Sequence, residues 1–171
     1  MSPQQIFGIQ LVLGYVPWLL VLGAYALPRL RSMDHVEVQR AIAALHSFRF
    51  FGLVFILPGV VGADLPAGFA TSAAYGDFAT GILAMLALAT FRIRPLFWLF
   101  VVAFNVVGTA DLLVNYLHGA AFGLPERAGA LAAAYWIPIL YVPLLMITHV
   151  TAFWLLLRRP RAQALPEGAA S

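Results

Sequence analysis

A chain of 171 residues has the length of one domain. Hydrophobic residues make up 63% of it and charged residues only 10%, against about 45–50% and about 25% in soluble domains. A water-soluble globule of this size cannot hide so much apolar surface, and a disordered chain would not carry it, so the composition predicts an all-α, polytopic integral membrane protein. Cysteine and lysine are both absent, which excludes disulfides, thiolate metal sites and a lysine Schiff base. The net charge of +3 rests on ten arginines. Because these lie almost wholly at the ends of apolar runs, they read as membrane topology signals and not as a nucleic-acid surface.

A helix needs about 20 apolar residues to cross a bilayer. Taken in chain order, residues 6–27, 41–62, 73–91, 95–118 and 131–157 meet that length, which predicts a single bundle of five transmembrane helices over residues 1–160. Residues 161–171, rich in Ala, Gly and Pro, are expected to form a flexible cytoplasmic tail. Ala24-Tyr25-Ala26 has the small-x-small form of a signal cleavage site. No basic residue precedes the first apolar run, however, and the run is longer than a signal peptide's, so a retained span is expected.

The connections alternate in charge. The first holds Arg29, Arg31 and Arg40, the third Arg92 and Arg94, and the tail Arg158, Arg159 and Arg161, while the second and fourth together hold only Arg127. The positive-inside rule then places the amino terminus outside and the carboxyl terminus in the cytoplasm. The Ala-rich, Lys-free usage points to a GC-rich bacterial genome, and so to a bacterial cytoplasmic membrane. Trp98, Trp136 and Trp154 are placed as interfacial anchors, and Trp18 lies deeper in its span.

Ionisable side chains inside a membrane are costly and mark function by default. The second span carries His46 and Arg49, the third Asp77, the fourth Asn105, Asp111 and Asn115, and the fifth Thr148 and His149. At 1.5 Å per residue these groups form a ladder, from His46 near the cytoplasmic side to Asp77 near the outer side. Asp111, Asn115 and His118 share one face of the fourth span, with Gly108 a turn below. The bland account is a buried ion pair between Arg49 and Asp77 or Asp111 that fixes helix register. The functional account is an interior polar pocket that binds or conducts a small ligand or protons. In it Arg49 is the anchoring positive charge, Asp77 and Asp111 are counter-ions or proton carriers, His46 and His149 titrate or ligate, and Asn105 orients ligand or water. Pro17, Pro58, Pro138 and Pro143 fall within predicted spans, where each frees a backbone carbonyl. The span glycines, Gly52, Gly76 and Gly108 among them, are expected to serve close helix approach.

Three other classes remain open. A membrane enzyme acting on an isoprenoid, sterol-like or quinone substrate could use His/Asp acid–base chemistry, although the chain has no GxSG, HExxH or DGxxAR-like segment and no dithiol. A haem or metal protein would need His46 and His149 at matching depth, and their estimated depths differ by about 8 Å. An accessory subunit would turn its polar groups toward a larger membrane complex. The expected partners are the lipid bilayer, a small or lipophilic ligand, and a second copy or a larger complex, with no nucleic acid.

Overall fold

The computed structural model describes residues 1–157; the predicted tail and its arginines Arg158, Arg159 and Arg161 lie outside the described residues. Among the described residues the chain is helical, with no strand. Four helices are long and apolar enough to cross a membrane: Pro3–Leu30, Ala67–Ala89, Arg94–Ala121 and Ile137–Leu157.

The first of these is composite. Helix α1 (Pro3–Val21) starts at Ser2, whose hydroxyl accepts from the Gln5 backbone while the Gln5 side chain accepts from the Ser2 backbone. It passes through a wider π turn (Leu22–Ala26) into α2 (Leu27–Ser32). The charged stretch after residue 28, read from sequence as a connection, is therefore mostly helical, and only Met33 and Asp34 separate α2 from α3 (His35–His46).

The second predicted span needs correction. Helix α3 begins six residues before the expected start at 41, because the charged positions His35, Glu37 and Arg40 alternate with apolar ones at helical spacing. From Ser47 to Ile56 it tightens into a 3-10 helix. It stops there and not at residue 62, because Pro58 lies in a turn with Gly59 at a φ of 81°. Pro58 is thus not in a helix. With three residues per turn, positions three apart eclipse one another. His46, Arg49, Gly52 and Phe55 consequently form one straight buried edge.

Helix α4 (Ala67–Ala89) packs chiefly against this 3-10 segment and against α5 (Arg94–Ala121). Helix α5 ends at Gly123, which takes the left-handed conformation that closes a helix. The chain returns through 3-10 turns (Leu124–Tyr135), kinked at Ala132 (φ 45°, ψ −123°), and a π turn (Ile137–Tyr141) at Pro138, into α6 (Val142–Leu157). Trp18 Nε1 donates to the Leu140 carbonyl at 2.8 Å. This ties α1 to the π turn, so Trp18 has a polar partner as well as apolar neighbours.

The connections gather at two ends. Arg40 stacks on Phe91, 4.4 Å from the ring centre, which joins the first and third connections. At the other end Gly62 N donates to Ala130 O at 2.7 Å, and the Gln4 amide donates to Glu126, so the amino terminus meets the second and fourth connections. Each end has its own apolar core. Phe55, Phe69, Ala73, Leu124, Leu131 and Ile139 build one; Val38, Ile42, Ala84, Phe97, Phe104 and Leu155 build the other. The Arg49 cluster lies between them, and buried Gln39 lies within the second, bonded to Ala152. Helix α1 is peripheral: 11% of its most apolar window is buried, against 39% for α4 and for Ile137–Leu157.

Candidate functional site

Arg49 is completely buried at the centre of the polar layer. Its Nε donates to Asp77 Oδ1 at 2.6 Å and its Nη2 to Asp111 Oδ2 at 2.6 Å, which joins the 3-10 segment to α4 and α5. The planar guanidinium holds both carboxylates at once, a geometry no ammonium could copy. The sequence ladder places Arg49, Asp77 and Asp111 at separate depths. The structure instead gathers them into one contact, because α3 starts earlier than expected and the arginine side chain spans the rest. One guanidinium and two carboxylates leave the group with a formal charge of −1.

The third side of Arg49 faces α6. Nη1 lies 3.3 Å from His149 Nε2, and His149 Nδ1 lies 2.8 Å from Asn105 Oδ1. Asn105 donates through Nδ2 to the Val101 carbonyl at 2.8 Å, so its Oδ1 is the acceptor for the ring. His149 thus carries a proton on Nδ1 and turns the Nε2 lone pair to Arg49. His46 packs against His149 with ring centres 4.1 Å apart and the rings tilted by 41°. Thr148 already donates to the Leu144 and Leu145 carbonyls, so its hydroxyl accepts from His46 Nε2 at 3.0 Å. In direct contact, the two rings leave no width for a haem between them. Among the described residues no group of three or more His, Cys, Asp or Glu is placed to hold a metal ion.

All six predicted site residues, His46, Arg49, Asp77, Asn105, Asp111 and His149, belong to this connected layer. Asp111 and Asn115 share a face as expected, and Asn115 Nδ2 donates to Asp111 Oδ1 at 2.8 Å. His118, three residues beyond Asn115 on the same face of α5, packs against Phe122, ring centres 5.7 Å apart.

Sequence reasoning missed three groups of residues. Buried Gln39, two turns before His46 on α3, donates to the Ala152 carbonyl at 3.0 Å, whereas the sequence pattern places it in a connection. Thr80, fully buried, bonds its own helix at Gly76. Gly52, Gly76 and Gly108 do more than let helices approach. A Cβ on Gly52 would overlap Asp77, and one on Gly76 would overlap Asp111. On Gly108 it would stand 2.5 Å from Arg49 Nη1 and 2.6 Å from His149 Nε2. These glycines hollow out the volume that the charged side chains fill. Their spacing from the charges, Gly52 three after Arg49 and Gly108 three before Asp111, was the signal available.

A cavity of about 360 Å³ adjoins the carboxylate side, between α1, α4, α5 and the start of the last helix. Its walls are mostly apolar, including Phe7, Leu11, Phe55, Phe69 and Leu112, and its polar wall residues include Asp77, Asn115 and Tyr116. The Tyr116 hydroxyl is engaged with Tyr15 at 2.7 Å.

Residues 6–157 match the model of a family described as a domain of unknown function, DUF8737. The chain belongs to the DUF8737 family. No curated protein and no solved structure matches it. The DUF8737 match contains every residue of the buried polar layer and all but Gln4 of the cavity wall.

Proposed function

We propose that this DUF8737 chain is a five-span membrane protein that binds a small ligand in the cavity beside the Arg49–Asp77–Asp111 cluster. The observation that carries the reading is that Asp77 belongs to both: it pairs with the buried arginine and lines the cavity. Three charged side chains are more than helix register requires, and a cavity against one of them offers a use.

The fifth span is α3 with its 3-10 continuation. Twelve residues at 1.5 Å and ten at 2.0 Å give roughly 38 Å, enough for the ~30 Å hydrocarbon layer. Exposed Val12, Leu13 and Leu20 on α1 suit lipid contact. Clustering of Arg29, Arg40, Arg92 and Arg94 at one end supports a cytoplasmic location for that end and an outer amino terminus, in a bacterial cytoplasmic membrane. The chain lacks cysteine, so single-cysteine labelling tests this directly. Gly129→Cys should react with an impermeant maleimide in intact cells, and Ser32→Cys only after lysis. The reverse pattern would invert the topology.

Binding is favoured over conduction of protons. A relay from Asn115 to Asn105 must pass through Arg49, and a guanidinium does not release its proton in proteins. An enzymatic reading is weaker for a related reason. Neither His46 nor His149 lines the cavity, so acid–base chemistry there would fall on Asp77 and on Tyr116, whose hydroxyl is already engaged with Tyr15.

The test is extraction. Wild type and Gly8→Leu are purified from native membranes and their bound small molecules profiled by mass spectrometry. Gly8 lines the cavity and a Cβ there meets nothing within 4 Å, so leucine should fill the space without a clash. A molecule enriched in wild type and lost from Gly8→Leu is the expected result. Identical profiles would overturn the reading.

A further inference from the structure

We infer that the ligand is a lipophilic amine, bound with its ammonium between Asp77 and Asn115 and its apolar body among Phe7, Leu11, Phe55 and Phe69. This rests on the binding reading above and adds the chemical class.

The first observation is charge. The cluster behind the cavity wall has one cation for two carboxylates, and Arg49 itself is not part of the wall. The second is hydrogen-bond polarity. Asn115 has committed Nδ2 to Asp111, and its buried Oδ1 has no partner among the described residues. Asp77 has committed only Oδ1, to Arg49. Asp77 and Asn115 thus make this end of the cavity wall rich in acceptors, with Asn115 Oδ1 reached by a shift of its side chain, and a carboxylate or phosphate ligand would meet repulsion. An ammonium supplies both the missing charge and the donors, and charge-assisted bonds of that kind are the strong ones. The third is size. A volume of about 360 Å³ is at the small end of the ~300–1,000 Å³ range of ligand sites, so the body is compact and not a two-chain lipid enclosed whole.

The decisive measurement uses three probes of one shape: 4-butylbenzylamine, 4-butylbenzyl alcohol and 4-butylbenzoate. Each is equilibrated with full-length protein in phosphatidylcholine nanodiscs, with protein-free discs as the partition control. The amine should bind about tenfold tighter than the alcohol, and the benzoate not at all. Asp77→Asn should weaken the amine about tenfold while leaving the alcohol nearly unchanged. Gly8→Leu should abolish both, and leucine is a better helix former than glycine, so loss of fold is not the expected cause. Equal binding of amine and alcohol, unaltered by Asp77→Asn yet lost in Gly8→Leu, would overturn the ammonium assignment and retain the cavity as a site. No difference between wild type and Gly8→Leu for any probe would overturn both. Discs containing phosphatidylethanolamine separate the sources of the group: displacement of the amine assigns the ammonium to a lipid head that reaches in, and no displacement assigns it to a free amine.

Discussion

The two sides of Arg49 satisfy buried polar groups in different ways. On the imidazole side the bonds are neutral, and of its ring nitrogens only His46 Nδ1 is left without a partner among the described residues. His149 is held by Asn105, Asn105 by the Val101 carbonyl, and His46 by Thr148, with Phe104 5.4 Å from the His46 ring centre. On the carboxylate side the contacts are ionic and unbalanced. Two carboxylates share one guanidinium, an amide oxygen stands without a partner, and a cavity lies alongside. A chain of neutral hydrogen bonds fixes geometry, whereas an unbalanced charged edge beside open space has room and charge for a ligand. The imidazole side is thus the mount for Arg49, and the carboxylate side is where the ligand proposed above would gain its energy.

The largest effect should come from removing the charge both sides share. Arg49→Gln leaves Asp77 and Asp111 buried without a counter-ion, at a cost of about 3–5 kcal/mol. Thermal stability in detergent, followed by loss of the monodisperse peak, should fall sharply. Adding Asp77→Asn and Asp111→Asn to the same chain should restore much of it, because an uncharged cluster owes no desolvation of unpaired ions. If the triple variant is no more stable than Arg49→Gln, charge balance is not what the arginine provides.

A change confined to the mount should separate stability from binding. His149→Leu leaves Asn105 Oδ1 and Arg49 Nη1 without their partner, at about 1–3 kcal/mol. Thermal stability should drop while the affinity of 4-butylbenzylamine stays within about threefold. A loss of amine binding as large as that of Asp77→Asn would erase the distinction between the two sides.

Gly108→Ala probes the hollow beneath both sides. Its Cβ would press on Arg49 and His149 together, and overpacking of this kind costs about 1–3 kcal/mol. The same substitution at Gly23, where a Cβ meets nothing within 4 Å, should be neutral or slightly stabilising. The smallest effect lies outside both sides. Ala132 has a positive φ that favours glycine, so Ala132→Gly should stabilise by about 1 kcal/mol and leave binding unaltered. A fall in melting temperature would argue against strain there.

Much of this was legible in the sequence. Apolar runs of sufficient length predicted the four long helices, since length and hydropathy are local properties. Helix ends were less legible. Residues 29–40 looked like a charged connection, yet most are helical, because charged residues on an exposed helix face resemble those of a loop. The 3-10 form of Ser47–Ile56 left only a faint trace, the period of three in Arg49, Gly52 and Phe55.

For the site, the inventory of costly residues in the apolar runs named six side chains that the structure joins in one network, to which Asn115 and Thr148 also bond. Their distances could not be read the same way. Depth estimates from an ideal rise separated His46 from His149 by about 8 Å, whereas the rings are in contact with centres 4.1 Å apart. Helix starts, tilt and side-chain reach all enter such a distance, and none is a local property.

Composition and periodicity by themselves determined that the chain is helical, which segments are apolar, and which side chains are too polar to be left unpaired there. Only the tertiary structure decided that one arginine bridges two carboxylates, that three glycines make room for them, and that a cavity opens on the acidic side. The physical reason is range: the cost of burying a polar group belongs to the residue, but the partner and the space that offset it are supplied by other helices.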